Sequence, residues 1–154
     1  MDMDKYLEQE KALVLDGFSY EDAWIMGTVG RSIAIEKKLP ITICIEKNGQ
    51  VVFQSALEGT SPINDKWLKR KREVVKLTHH SSIVAREEVG IKQCEVNQSI
   101  IFDKNKYACV GGSIPIVVKD IGCIGTLSVS GLSDEMDHEV AILILKMYKQ
   151  VKKG

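Results

Sequence analysis

Apolar residues recur at spacings of three and four along much of the chain, which is the period of amphipathic helices. Capping residues and helix breakers set the limits of these segments. Ser19 is a favourable N-cap, and the helix that follows it ends before Pro40. In this way the sequence predicts helices at 2–15, 19–38, 65–79, 81–88 and 133–152, and favours a short helix at 96–102.

Alternating apolar and polar positions predict two groups of strands. In the first group, 41–45 is followed by Asn48-Gly49, a strong two-residue turn signal, and 51–56 returns as the second strand. The second group comprises 107–110, 114–119 and 123–130. Helices, two strands, helices, three strands and a final helix predict an α+β fold with an antiparallel sheet. The length is ordinary for one domain spanning 1–154.

Composition and charge exclude several classes of protein. Lys plus Arg equals Asp plus Glu at 21 each, so the net charge is zero, which disfavours nucleic-acid binding and leaves no charge repulsion against self-association. No stretch is long and apolar enough to span a bilayer, and the N-terminus lacks a signal-peptide core, so we expect a cytoplasmic protein. No Cys-x-x-Cys pair occurs, which favours free thiols over structural zinc at Cys44, Cys94, Cys109 and Cys123.

The basic helix at 65–79 places one lysine in an unexpected position. On a helical wheel, Lys71 falls at the centre of the apolar arc that Trp67 shares, and Arg70 lies on the neighbouring polar edge. Two interpretations stay open. The stem of Lys71 packs on the core while its ammonium reaches water, or the ammonium points into a pocket and holds an anionic ligand group. A buried lysine without a partner would be costly.

Two glycine turns are further candidates for a binding site. They are Gly111-Gly112-Ser113 and Val129-Ser130-Gly131, and neither matches a phosphate-binding fingerprint or a nucleophile elbow. Tight turns can expose backbone N–H groups that form an anion-binding nest. Plain hairpin geometry without a ligand is the alternative.

The last helix is apolar on nearly every face between Val140 and Tyr148. One face can meet the sheet, and a second apolar face predicts contact with a partner subunit. His138 lies on this second face, as an interface residue, as a pocket residue or as a residue that is merely exposed. His79 and His80 point about 100° apart on a helix, so they form a poor metal site and no metal is expected.

Taken together, these motifs resemble an uncharacterised branch of the haem-degrading-domain family, which includes GlcG-like and HbpS-like proteins. The resemblance rests on Trp67, Arg70-Lys71, Gly111-Gly112-Ser113 with Pro115, Ile124-Gly125, Val129-Ser130-Gly131 and Asp137-His138. It implies a profilin-like, three-layer α/β/α fold with a five-stranded antiparallel sheet. It also implies homo-oligomers, as dimers that assemble into a larger ring or cage, and haem or iron binding in some members.

One departure from the branch concerns the residue before the double glycine. Relatives in the branch often have histidine there, whereas this chain has Val110. An activity that depends on that imidazole would be lost. The resemblance makes the glycine turns and the Lys71 helix the expected pocket walls. The candidate ligand-binding residues are Trp67, Arg70, Lys71, Gly111, Gly112, Ser113, Ser130, Gly131 and His138.

Three functions compete at this point. The first is a small-molecule-binding oligomer for haem, another tetrapyrrole or a different anionic ligand, so that the cofactor stays open. The second is an enzyme on a small metabolite, with Lys71, Ser130 or His138 in acid–base work, although no complete catalytic arrangement is visible. The third is a structural or adaptor homo-oligomer without ligand chemistry.

Overall fold

A computed structural model describes residues 2–91 and 103–153 of the chain. The five helices predicted between 2 and 88 and at 133–152 are confirmed, with ends that differ by up to three residues. The short helix favoured at 96–102 lies outside the described residues. In chain order, the elements are α1 (Asp2–Ala12), α2 (Tyr20–Lys37), β1 (Thr42–Lys47), β2 (Gln50–Ala56), α3 (Pro62–Thr78), α4 (Ser82–Ile91), β3 (Ser113–Val118), β4 (Gly122–Ser130) and α5 (Asp134–Lys153).

The sheet has four described strands in the order β2-β1-β4-β3, and every neighbouring pair is antiparallel. The prediction of a five-stranded antiparallel sheet is therefore wrong. The segment predicted as the additional strand, 107–110, is not in a strand. Its backbone is satisfied elsewhere, because Tyr107 N–H donates to the Asp103 carbonyl at 2.8 Å and Ala108 N–H donates to the Arg70 carbonyl at 3.0 Å.

The predicted β1–β2 hairpin is confirmed. Asn48 and Gly49 form its turn with φ angles of 49° and 83°. Both residues occupy the left-handed region that a tight two-residue hairpin turn requires, which explains why an Asn-Gly pair stands there.

The two faces of the sheet differ in polarity and meet different helices. Apolar side chains such as Ile43 and Val129 belong to the core beside α2 and α5. Close packing is needed there, since a Cβ on Gly30 of α2 would lie 3.0 Å from the Ile144 side chain of α5. The opposite face carries buried polar side chains and is covered by α3, whose Arg72 pairs with Glu46 of β1 at 2.9 Å.

The two edges of the sheet also differ. The segment after α1 lies against β3, where Leu15 N–H donates to the Val117 carbonyl and the Leu15 carbonyl accepts from Lys119 N–H, both at 2.8 Å. The outer edge of β2, at the other end of the sheet, has no strand partner among residues 2–91 and 103–153. Among the described residues, the sheet thus has one edge that is covered at one end by Leu15 and one edge without a strand partner.

The second apolar face of α5 is buried within the same chain. His138, Ile142 and Leu145 are 1%, 5% and 1% exposed. The Tyr6 ring of α1 packs edge-on against His138, with ring centroids 4.9 Å apart. The prediction that this face meets a partner subunit is therefore wrong. No helix in the described part of the chain combines the length and hydropathy needed to cross a membrane.

Candidate functional site

A cleft of about 430 Å³ opens where α3 passes the end of β4 and the start of α5. Its volume lies within the range of roughly 300–1,000 Å³ that is typical of small-molecule sites. The walls combine apolar and polar side chains from four parts of the chain. They are Ile63, Asn64, Trp67, Lys71, Val110, Ser130, Gly131, Leu132, Asp134 and Asp137.

A buried ion pair forms the base of this cleft. Lys71 Nζ donates to Asp137 Oδ2 at 2.9 Å and to the Val129 carbonyl oxygen at 3.0 Å. The two side chains are 4% and 3% exposed. The ammonium therefore neither reaches bulk water nor stays unpaired, and neither interpretation from the sequence describes it fully. Asp137 was not predicted as the counter-ion, although the cost of an unpaired buried lysine required one.

The Asp137 carboxylate also occupies the backbone amides of the second glycine turn. Its Oδ1 accepts the Leu132 N–H at 2.9 Å, directly after Gly131. Burial raises the pKa of Asp137 above its ordinary value, while the Lys71 ammonium and this backbone hydrogen bond counteract that rise. The proposed anion-binding nest is thus filled by an anion of the chain itself. A ligand approaching from the cleft meets an ion pair rather than a free positive charge.

The double glycine allows the turn before β3 to pass against this pair. Gly112 has a φ of 132°, and a Cβ there would lie 2.6 Å from Lys71 Nζ. A Cβ on Gly111 would overlap the Asp134 carbonyl oxygen. Both glycines are therefore explained by close packing. Neither lines the cleft itself.

Ser113 and Ser130 separate in the structure, although the sequence grouped them. Ser130 lines the cleft, and its Oγ accepts a hydrogen bond from Asn64 at 3.4 Å. Ser113 is fully buried, with its Oγ 2.8 Å from Ser128 Oγ and its N–H donating to Ser82 Oγ. Ser113 therefore belongs to the polar layer between the sheet and the helices.

Trp67 forms the exposed rim of the cleft, and Arg70 stacks on its ring without lining the cleft itself. The Arg70 guanidinium lies 4.9 Å from the centroid of the Trp67 ring, within the range of a cation–π contact. Arg70 Nη2 also donates to the Tyr107 carbonyl at 3.4 Å. Trp67 is 38% exposed, which leaves part of its ring open to the cleft.

His138 does not line the cleft. Its Nε2 lies 2.9 Å from Gln9 Oε1 of α1. Burial lowers the pKa of His138 to about 4, and the positive charges of Lys5 and Arg86 act in the same direction. The ring is therefore neutral near neutral pH and packs between helices. Of the three acid–base candidates from the sequence, Lys71 and Ser130 share the cleft and His138 lies outside it.

The lowered pKa of His138 predicts how stability depends on pH. An unfolded histidine titrates near 6.5, so between about pH 4 and pH 6.5 the folded state binds fewer protons and its stability rises with pH. We expect this residue to remove about 3 kcal/mol of stability between pH 7 and pH 4. Urea titrations of the wild type and His138→Gln at both pH values isolate the effect. A wild-type-minus-variant difference that stays constant with pH would contradict the assignment.

The described cysteines do not supply a reactive group. Cys44, Cys109 and Cys123 are free, whereas Cys94 lies outside the described residues. Burial raises the pKa of the Cys44 thiol to about 11, so it stays protonated at neutral pH. In the described part of the chain, no group of three or more His, Cys, Asp or Glu side chains is arranged to hold a metal ion.

Comparison with known proteins gives consistent results across nearly the whole chain. The family model of the haem degrading protein HbpS-like matches residues 18–146. A UPF0303 protein of Streptomyces coelicolor is 36% identical over 141 residues, which cover 92% of this chain and 89% of that protein. A UPF0303 protein of Azotobacter vinelandii is 39% identical over 150 residues, with 92% and 88% covered.

Solved structures share the fold. The crystal structure of the Ybr137w protein superposes with a TM-score of 0.86 at 28% identity, covering 95% of this chain and 87% of that chain. Crystal structures of HbpS and of a PduOC:Heme complex superpose with TM-scores of 0.69 and 0.68. HbpS is 13% identical, and the superposition covers 84% of this chain and 89% of HbpS. The PduOC protein is 17% identical, with 84% of this chain and 94% of that chain covered.

Proposed function

Because this chain belongs to the HbpS-like family of haem-degrading proteins, we propose that it binds haem or a related anionic tetrapyrrole in the cleft beside Trp67. The observation that carries the proposal is the make-up of the cleft. An apolar wall of Ile63, Trp67, Val110 and Leu132 stands over the buried Lys71–Asp137 ion pair, and outside the lining a guanidinium stacks on the Trp67 ring. The PduOC:Heme complex shares this fold, and its haem supports the same ligand class.

The wall and the rim suit different parts of such a ligand. A flat macrocycle stacks on the open part of the Trp67 ring, which contributes dispersion and apolar burial. The Arg70 guanidinium, which stacks on the Trp67 ring, can donate a hydrogen bond to a ligand carboxylate that extends past that ring. Below them, Lys71 has three N–H donors, and Asp137 and Val129 use two. Since the Lys71 side chain is only 4% exposed, the ion pair forms the polar floor of the site rather than a free cation.

The described lining contains no histidine, since Val110 stands where the branch often has one and His138 lies outside the cleft. The residues present fit the apolar ring and the carboxylates of a tetrapyrrole but offer no imidazole to its iron. Ring and carboxylates should therefore carry the affinity. We expect metal-free protoporphyrin IX to bind within a few-fold of haem.

Titration of the purified protein with haem and with protoporphyrin IX, followed by absorbance and fluorescence, tests this function. We expect saturation at one ligand per chain. Trp67→Ala should weaken binding of both ligands at least tenfold, which corresponds to about 1.4 kcal/mol. Leu77→Ala is the matched control, because Leu77 lies on the same helix at 42% exposure and does not line the cleft.

Arg70→Gln, compared with the exposed neighbour Lys69→Gln, isolates the carboxylate contact and should weaken binding severalfold. Lys71 is unsuited to this test, because its removal would leave the Asp137 carboxylate buried without its partner. Absence of saturable binding at tens of micromolar ligand, or equal affinities in Trp67→Ala and Leu77→Ala, would contradict the proposed function.

The proposal includes a homo-oligomer, as the family resemblance implies. Zero net charge supports it, because no long-range repulsion opposes contact between copies. Light scattering coupled to size-exclusion chromatography measures the assembly directly, and a monomer at micromolar concentration would contradict this part.

A further inference from the structure

β2 is an edge strand with a β-bulge at Val52, but it lacks the charges, prolines and covering strand that usually protect edges among the described residues. Its seven residues, Gln50–Ala56, include no charged residue and no proline. Edge strands of soluble proteins commonly carry charges, prolines or covering segments, because their unpaired N–H and C=O groups attract other strands. At the opposite edge, the Leu15 segment covers β3, and at β2 no described strand does so. The β2 edge therefore has the properties of a surface that is covered in the working protein.

Exposed apolar side chains of α2 flank this edge. Together with one arginine they form the α2 stripe, which lies along one helix face at spacings of four and seven residues and consists of Tyr20, Trp24, Arg31 and Ile35. Its three apolar members are 62%, 60% and 52% exposed. The stripe is anchored to β2, because Trp24 packs edge-on against Phe53 with centroids 5.6 Å apart and the Tyr20 hydroxyl donates to Gln50 Oε1 at 3.0 Å. The bare backbone edge and the apolar stripe thus form one continuous surface.

From this surface we infer that a second copy of the chain pairs with β2 through its own β2, antiparallel and about a two-fold axis. This inference rests on the proposed homo-oligomer and names its interface. The unpaired N–H and C=O groups of an edge strand can bond to another strand. Because the edge without a strand partner in a second copy is also β2, the same surface is used on both copies and the pairing is isologous. β2 carries no charge, hence no like charges meet across the axis.

The same symmetry brings the two α2 stripes to the same side of the joined sheet. Exposed aromatic side chains next to an arginine are the composition typical of interface centres. The pairing would join two four-stranded sheets into one of eight strands. The pairing leaves the cleft beside Trp67 free. Helix α2, which carries the stripe, lies on the apolar face of the sheet, whereas α3, which carries Trp67, covers the polar face.

Size-exclusion chromatography with light scattering on Val51→Lys and on Trp24→Glu tests the interface. Val51 is 44% exposed on the edge strand, and a lysine there acts as an edge guard. We expect each variant to reduce the particle mass to half or less of the wild-type value. Ile121→Lys is the control, since Ile121 is 72% exposed in the turn between β3 and β4, and it should keep the wild-type mass.

Hydrogen exchange of the β2 peptide supplies a second readout. The outward-facing amides of 50–56, which do not bond to β1, should be protected in the wild type and exchange at least tenfold faster in Val51→Lys, while amides of β4 keep their protection. A wild-type monomer would overturn both the oligomer and the interface. An oligomer whose mass survives both substitutions, or whose β2 amides exchange freely, would overturn the interface alone and leave the oligomer standing.

Discussion

Asp137→Asn is expected to destabilise the fold by about 3–5 kcal/mol, because it leaves the Lys71 ammonium buried without a counter-ion. The asparagine oxygen can still accept the Leu132 N–H, so the loss reports chiefly on the charge. Urea unfolding followed by circular dichroism measures it. Asp134→Asn in the same helical turn is the control, because its carboxylate is 31% exposed in its pair with Arg86 and should cost about 1 kcal/mol or less.

A double variant separates the pair from its surroundings. Lys71→Met combined with Asp137→Asn removes both charges and keeps an acceptor for the Leu132 N–H. Replacing both members of a buried pair is far less harmful than removing one, so the double variant should be more stable than Asp137→Asn alone. A double variant that is no more stable than Asp137→Asn, or a loss below about 1 kcal/mol for the single substitution, would contradict the role of the buried ion pair.

Gly131→Ala is expected to be the most damaging glycine substitution, with a loss of about 3 kcal/mol or more. Gly131 has a φ of 146°, a region that residues with a Cβ rarely adopt. The added Cβ would also overlap the Pro40 carbonyl oxygen, which belongs to a rigid backbone segment. To relieve this overlap, the backbone at Gly131 would have to shift. Such a shift would move the Leu132 amide away from Asp137 and disturb the base of the cleft.

Two other glycines provide graded controls in thermal and urea unfolding. Gly49 has a φ of 83° but nothing within 4 Å of an added Cβ, so Gly49→Ala should cost about 1–2 kcal/mol from strain alone. Gly17 has neither constraint, and Gly17→Ala should change stability by less than about 1 kcal/mol. A different order of the three losses would contradict the explanation.

Elements with strong local patterns could be predicted from the sequence. The helices follow from apolar period and caps, and the β1–β2 hairpin follows from Asn48-Gly49. The sequence predicts that α3 starts at 65, with Pro62 in the preceding loop, whereas the helix starts at Pro62 itself. The reason is that proline is favoured in the first turn of a helix. The prediction of a strand at 107–110 is wrong because a short apolar run shows no clear period. One of its backbone hydrogen bonds goes to Arg70, in a distant part of the chain.

Only part of the candidate site could be predicted, because the sequence reveals local patterns and not contacts between distant segments. The wheel placed Lys71 inward, since orientation on a helix is local. Its partner Asp137 is 66 residues away, and no local pattern distinguishes it from the other acids in the first turn of α5. The burial of His138 depends on α1 packing from the other end of the chain. Such contacts are fixed by tertiary packing and leave no periodic trace.

The Leu15 segment along β3 also determines how far sheets of this chain can extend. A sheet with two open sides could recruit neighbours without limit and grow into a fibre. Here the chain's own backbone occupies one end of the β3 edge, where Leu15 is bonded to Val117 and Lys119. Edge-to-edge growth is therefore hindered at β3, which favours a closed pair over a fibre.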